Sequence, residues 1–124
     1  MSIKREQTYR RHTILNKNQS LESIKHHLAE QFNLPMEQID MLLPSFIATL
    51  GTHMGNLENA LANNNQELLG KAGHTIKGAF LNLGLNDCAQ IALIIEEKGR
   101  QGGSLADFKK LVDDLRFLVR PVLE

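Results

Sequence analysis

Apolar residues recur at intervals of three and four along most of the chain, a spacing that predicts helices. Ser20 is placed to cap a first helix with Leu21, Ile24, Leu28 and Phe32 along one stripe, ending near Asn33. Pro35 suits the first turn of a second helix, which carries Ile39, Leu43, Phe46, Ile47, Leu50, Met54, Leu57 and Leu61. That run of about 28 residues is long for one globular helix, and Pro44 inside it should kink or divide it. Asn63-Asn64-Asn65 marks a polar turn. A third helix gathers Leu69, Ala72, Ile76, Ala79, Phe80 and Leu83 on one side, and Gly84 is its expected stop. Asn86 or Asp87 caps a fourth helix with Cys88, Ile91, Ala92, Leu93, Ile94 and Ile95, which Gly99, Gly102 and Gly103 end. Ser104 with Asp107 resembles a capping box and opens a fifth helix with Leu105, Phe108, Leu111, Val112, Leu115, Leu118, Val119 and Val122. Strand signals, such as strict alternation or Asn-Gly and Asp-Gly hairpin turns, are missing. Short loops imply antiparallel neighbours. The expected fold is all-α, an antiparallel up-down four-helix bundle with an additional N-terminal helix. It forms one domain over residues 20–124, behind a polar basic leader over residues 1–19.

Composition narrows the function classes. At 124 residues the chain is long enough for one modest core. Its formal charge is zero but uneven. Residues 1–18 carry Lys4, Arg5, Arg10, Arg11 and Lys17 against Glu6 alone, a net +4 that leaves −4 for the rest. A mildly acidic globular part without an aromatic-studded basic patch argues against nucleic acid as the main partner. The leader reads as a solvated tail. Cys88 is the only cysteine, which rules out an internal disulfide and a thiol-rich metal site, and its place on an apolar face makes it a small core residue. No apolar run approaches the roughly 20 residues of a membrane span, and no apolar block follows the first charges as in a secretory signal. A soluble, cytoplasmic protein is expected, and the Met1 start with its short leader leans towards a free-standing one.

The candidate chemistry lies on the third helix. At about 100° per residue, His74 projects almost opposite the apolar stripe. Its neighbours four residues away on either side are Gly70 and Gly78, so no side chain covers the ring. Lys71 and Lys77, three residues away, place an ammonium on either side. Glycines are costly inside a helix, about 1 kcal/mol each relative to alanine. Gly73 can serve close helix packing and Gly70 a late helix start. Gly78, one turn from His74, lets a partner's backbone or a phosphoryl oxygen come close. An uncovered imidazole flanked by cations suits a nucleophile that will carry an anion.

The run His74-Thr75-Ile76-Lys77-Gly78, with Gly84-Leu85 ten residues after the histidine, resembles the signature of the histidine-containing phosphotransfer (Hpt) domain. Ala60-Leu61 before the polar turn, and Glu96 with Lys98-Gly99-Arg100 and Gly102, extend the likeness over roughly residues 38 to 122. Two departures are visible: Ala79-Phe80 stands where many members have Ser or Ala pairs, and Gly73 where Ala is common. The resemblance implies a phosphorelay intermediate in which His74 accepts a phosphoryl group from one receiver-domain aspartate and passes it to another. It implies no autonomous kinase activity and no cofactor on this chain, with Mg²⁺ brought by the receiver. Response-regulator receivers and a hybrid sensor kinase are the implied partners, and Lys77 and Glu96 the implied helpers, facing the phosphoryl oxygens and hydrogen-bonding the imidazole respectively. Imidazole chemistry agrees, since a neutral ring is a nucleophile near pH 7. Lys71 and Lys77 offset charge on the transferred group, and Gly78 keeps the site open. Gly70, Leu81, Leu85 and Leu42 are candidates for the docking surface.

Three other readings compete. His74 could be an ordinary surface histidine on a non-catalytic helical-bundle interaction module. His53 and His74 could hold a metal, but His53 has Leu57 rather than a ligand four residues on, and the lysines would repel a cation. A degenerate relay module, such as the phosphorylatable helix of a chemotaxis-type kinase, would still be only a phosphoryl carrier. A monomer is expected, because four helices already close a core.

Overall fold

The structure is a computed structural model that describes residues 17–124. Five helices account for it: α1 (Lys17–Phe32), α2 (Met36–Ala62), α3 (Gln66–Leu83), α4 (Asn86–Gln101) and α5 (Leu105–Leu123). There is no strand among the described residues. Helices α2 to α5 form the four-helix bundle, with α3 packed chiefly on α4 and then on α2. The core runs through all five helices and includes Ile24, Leu50, Leu57, Leu69, Ile76, Phe80, Ile95, Phe108 and Leu115. Cys88 lies in it as expected.

Helix α2 has 27 residues and α3 has 18. At about 1.5 Å per residue the longer helix gains roughly 13 Å. Helix α1 covers its N-terminal part: Phe32 stacks near Phe46 with ring centroids 6.0 Å apart, and Lys25 bridges Glu22 and Asp40 at 2.8 and 3.0 Å. The other end of α2 is tied to α5, where Arg116 bonds Glu58 at 3.0 Å and pairs with Asp113 in its own helix.

The helix ends follow local chemistry. Asn65 Oδ1 accepts from Leu68 N to start α3, and Ser104 Oγ accepts from Asp107 N to start α5, each at 3.1 Å. Gly84 ends α3 in the left-handed region at φ 76°. It also meets the His27 ring, whose Cγ would lie 2.7 Å from any added Cβ.

Several expected boundaries move. Helix α1 begins at Lys17, so Ser20 lies within it and the expected leader is shortened; residues 1–16 lie outside the described part. Pro35 is the N-cap of α2 rather than its first helical residue. Pro44 does not divide α2, which runs unbroken past it. Proline removes one donor, the partner of the Asp40 carbonyl, and both residues are exposed, so water can take the lost bond. Leu85, not Asn86 or Asp87, is the N-cap of α4. With two residues between helices, its N–H is already committed to Phe80 O at 2.9 Å, a bond that closes α3. Gly99 does not stop α4, which ends at Gly102 with φ 101°.

Candidate functional site

His74 stands on the outer face of α3, eight residues into the helix. Ile76, Phe80 and Leu83 drive the opposite face into the core, which is why the imidazole points out. Its side chain is 69% exposed. Gly78, one turn on, is exposed too, and a Cβ there would meet nothing within 4 Å. Gly70 departs from the expectation of an open glycine on the docking surface. It is buried against α4, where its Cβ would lie 3.2 Å from Gly99 Cα.

Helix α4 brings Glu96 to the ring. Its side chain is only 12% exposed, and among the described residues it is the one charged group that is buried. A buried carboxylate needs partners for both oxygens. Lys77 Nζ donates to Oε1 at 2.7 Å, and His74 Nδ1 lies 2.9 Å from Oε2. Arg100 Nη2 stands 4.0 Å from Oε2. The Lys77 ammonium, helped by His74, holds the Glu96 carboxyl below the usual carboxylate range, against the opposing effect of its burial. An ionised carboxylate only accepts hydrogen bonds. The 2.9 Å contact therefore requires the proton on Nδ1, and in the neutral ring the lone pair is on Nε2.

The other candidate residues take distinct places. Lys77 is at the site, but its ammonium is spent on Glu96 rather than turned outward. Lys71 is exposed and pairs with Glu67 at 3.3 Å. With Arg100 it borders a shallow depression between α3 and α4 that reaches His74. Across α3 a second groove runs along α2, lined by Leu42, Phe46, His53, Thr75, Gly78 and Leu83. Leu42 and Leu81 are exposed, as a docking role requires. Leu85 is half-buried against the core, which limits it to an edge contribution. His53 and His74 line different grooves, and no group of three or more His, Cys, Asp and Glu among the described residues could hold a metal ion.

Sequence reasoning missed three features. Arg100 follows Glu96 at i+4, a spacing that pairs charges on a helix, and that signal was present. Met41 is the most open large apolar residue among the described residues, 81% exposed. Between Asp40 and Glu58, α2 has no Asp, Glu, Lys or Arg, although much of that stretch is exposed. Surfaces elsewhere on soluble proteins are about a quarter to a third charged.

The Hpt domain family model matches residues 41–120, which include His74, Lys77 and Glu96. The chain belongs to the Hpt family. No curated protein and no solved structure matched it. Hpt domains are helical bundles that carry phosphoryl groups in phosphorelays and are carriers rather than catalysts. Helix α1 lies outside the matched stretch, so the Hpt part is α2 to α5 and α1 is an addition to it. Among the described residues no helix is long and apolar enough to cross a membrane.

Proposed function

We propose that this protein is a phosphorelay intermediate that carries a phosphoryl group on His74 Nε2 between the aspartates of two receiver domains, one of them in a hybrid sensor kinase. One observation carries the reading. Glu96 occupies Nδ1, so in the neutral ring of this exposed side chain the free lone pair is on Nε2. In the step itself, Nε2 attacks the phosphorus of a receiver's aspartyl phosphate. The N–P bond forms, the P–O bond breaks, and its electron pair leaves on the aspartate carboxylate. Nδ1 keeps its proton throughout, so the ring becomes cationic, and the adjacent Glu96 carboxylate stabilises that charge. Transfer to the second receiver reverses the bond changes.

Each neighbour has a part in this. Gly78 leaves room for the phosphoryl oxygens and for the partner's loop. Lys71 and Arg100 border the site and offset charge on the transferred group, while Lys77 acts through Glu96 by keeping it ionised. Among the described residues no carboxylate cluster could hold Mg²⁺, which the receiver brings. The receiver docks across α2 and α3 over Met41, Leu42 and Leu81, where charge depletion matches the composition of interface centres. The protein acts as a monomer.

The test is transfer from a ³²P-labelled, phosphorylated receiver domain, with His74→Gln beside the wild type. The expected result is acid-labile, alkali-stable label on the wild type and none on the variant. No label from several unrelated donors, on folded protein, would leave a helical interaction module in which His74 is incidental.

A further inference from the structure

Helices α3 and α4 touch through glycine. A Cβ on Gly99 would overlap Gly70 Cα and lie 2.7 Å from Gly70 N. One on Gly73 would lie 3.0 Å from Glu96 N and 3.1 Å from Ala92 O. These are backbone atoms, which cannot turn aside as a flexible side chain does. The far end of the same seam is fastened by Gln66 Nε2, which donates to Gly103 O at 2.9 Å.

The seam is in register with the charged cluster. On α3, Gly70 and His74 are four residues apart, as are Gly73 and Lys77; on α4, Glu96 and Gly99 are three apart. Such pairs share a helix face. The glycine contacts therefore lie directly beneath the three side chains that meet at Glu96. Helix pairs pack about 8–10 Å apart, depending on the side chains between them. A methyl group at Gly99, overlapping Gly70 Cα, would widen this pair on the order of an ångström, and one at Gly70 or Gly73 would move the facing backbone by a few tenths of an ångström. Glu96 makes its 2.7 and 2.9 Å contacts at the same time, and a hydrogen bond is lost beyond about 3.5 Å. A retreating α4 keeps at most one of them.

We propose that Gly70, Gly73 and Gly99 are positioning residues: they set the α3–α4 separation at which Glu96 reaches His74 Nδ1, and so select Nε2 as the free ring nitrogen. The consequence for phosphotransfer rests on the role proposed above for His74; the consequence for the ring proton does not. Packing alone would be served by alanine, the better helix former, at a slightly larger separation.

The experiment compares the full-length wild type with Gly99→Ala, Gly73→Ala and Gly70→Ala. Gly55→Ala is the control, since a Cβ at this α2 glycine meets nothing within 4 Å. Nitrogen-15 NMR of the neutral His74 ring reads the tautomer directly, on proteins whose folding is verified by circular dichroism. The wild type and Gly55→Ala are expected to hold the proton on Nδ1. The seam variants are expected to shift towards the Nε2–H form, Gly99→Ala most. Phosphoryl transfer is expected to slow about tenfold or more, but not to slow further when Glu96→Ala is already present. Should Gly99→Ala fail to fold, Gly73→Ala decides, as its Cβ meets the backbone N of Glu96 itself at 3.0 Å. Folded seam variants that retain the wild-type tautomer overturn the proposal. So does a transfer loss of the same factor with and without Glu96. Should no receiver phosphorylate the wild type, the phosphoacceptor reading fails, and the tautomer measurement still decides the positioning role.

Discussion

Replacing Glu96 with glutamine probes the site with the smallest change of shape. A glutamine has one acceptor oxygen and one donor nitrogen, whereas Glu96 presents two acceptors to two donors. The amide cannot satisfy Lys77 and the Nδ1–H of His74 together. Lys77 is always a donor near neutral pH and its contact is the shorter, 2.7 against 2.9 Å, so the amide oxygen turns to Lys77 and the NH₂ faces His74. That orientation favours an unprotonated Nδ1 and places the ring proton on Nε2, the nitrogen proposed to attack. A hydrogen bond to a charged group contributes about 1.5–3 kcal/mol and a neutral one about 1. Full burial would make the swing larger than their difference, but the His74 side chain is 69% exposed and water screens it. A net change of about 1.4 kcal/mol is therefore expected, or roughly tenfold in the fraction of competent tautomer.

Single-turnover transfer from a saturating phosphorylated receiver should accordingly fall about tenfold in Glu96→Gln. Stability should fall by no more than about 1 kcal/mol, since both donors can be rehydrated. Urea denaturation supplies the second number. Wild-type transfer together with an unchanged Nδ1–H signal would refute the reasoning, because it would mean that the amide oxygen, not its nitrogen, faces the ring.

Three further outcomes follow from the same structure. Glu96 is held below the ordinary carboxylate range, so its stabilising contribution is complete above about pH 4.3, the usual glutamate value, and is lost as pH falls through the lower folded-state value. The Tm advantage of the wild type over Glu96→Gln should shrink between pH 6 and pH 3; a constant gap contradicts it. Burial pushes the Cys88 thiol up to about 12, so a thiol reagent at pH 8 should label it only after denaturant is added. Met41→Glu and Leu81→Arg alter exposed side chains and should leave Tm unchanged within about 0.5 kcal/mol of stability, while weakening receiver binding in calorimetry; equal binding would move the docking surface elsewhere.

What the sequence made legible depended on how local the cause was. The apolar stripe around Ile76 and Phe80 specifies α3 and turns His74 outward without help from the rest of the chain. Gly84 and Ser104 act within one turn and were readable for that reason. Glu96 was reached only through family resemblance, since nothing in the spacing of residues 74 and 96 shows that two helices bring them together. Gly70 and Gly99 failed in the same way. Each glycine alone reads as a late start or an early stop, and only their meeting across α3 and α4 reveals a contact. Pro44 could be read as a kink or a break, and of these the break is absent: Asp40 and Pro44 are both exposed, so the lost bond can be made to water and the helix continues. The charge-free stretch of α2 was present in the sequence, but its meaning depended on knowing that much of it is exposed, along a groove it shares with Thr75 and Gly78 of α3.

Four costs of this fold fall in one place. Glycines at 70, 73 and 99 each weaken their helix by about 1 kcal/mol relative to alanine. Burying the Glu96 carboxylate carries a desolvation cost that Lys77 and His74 have to offset, whereas an apolar side chain of similar size would need no such partners there. These four residues lie within about one helical turn, on either helix, of the His74–Glu96 contact. Elsewhere the core is built from apolar stripes alone. A fold selected for packing alone has no use for a carboxylate at the α3–α4 seam, nor for glycines that bring it closer. Both make sense as a single device if one nitrogen of His74 must be kept free of its proton. The exposed histidine alone is a common surface feature; the buried carboxylate behind it, with the glycines that admit it, is what distinguishes a nucleophile from a solvated side chain.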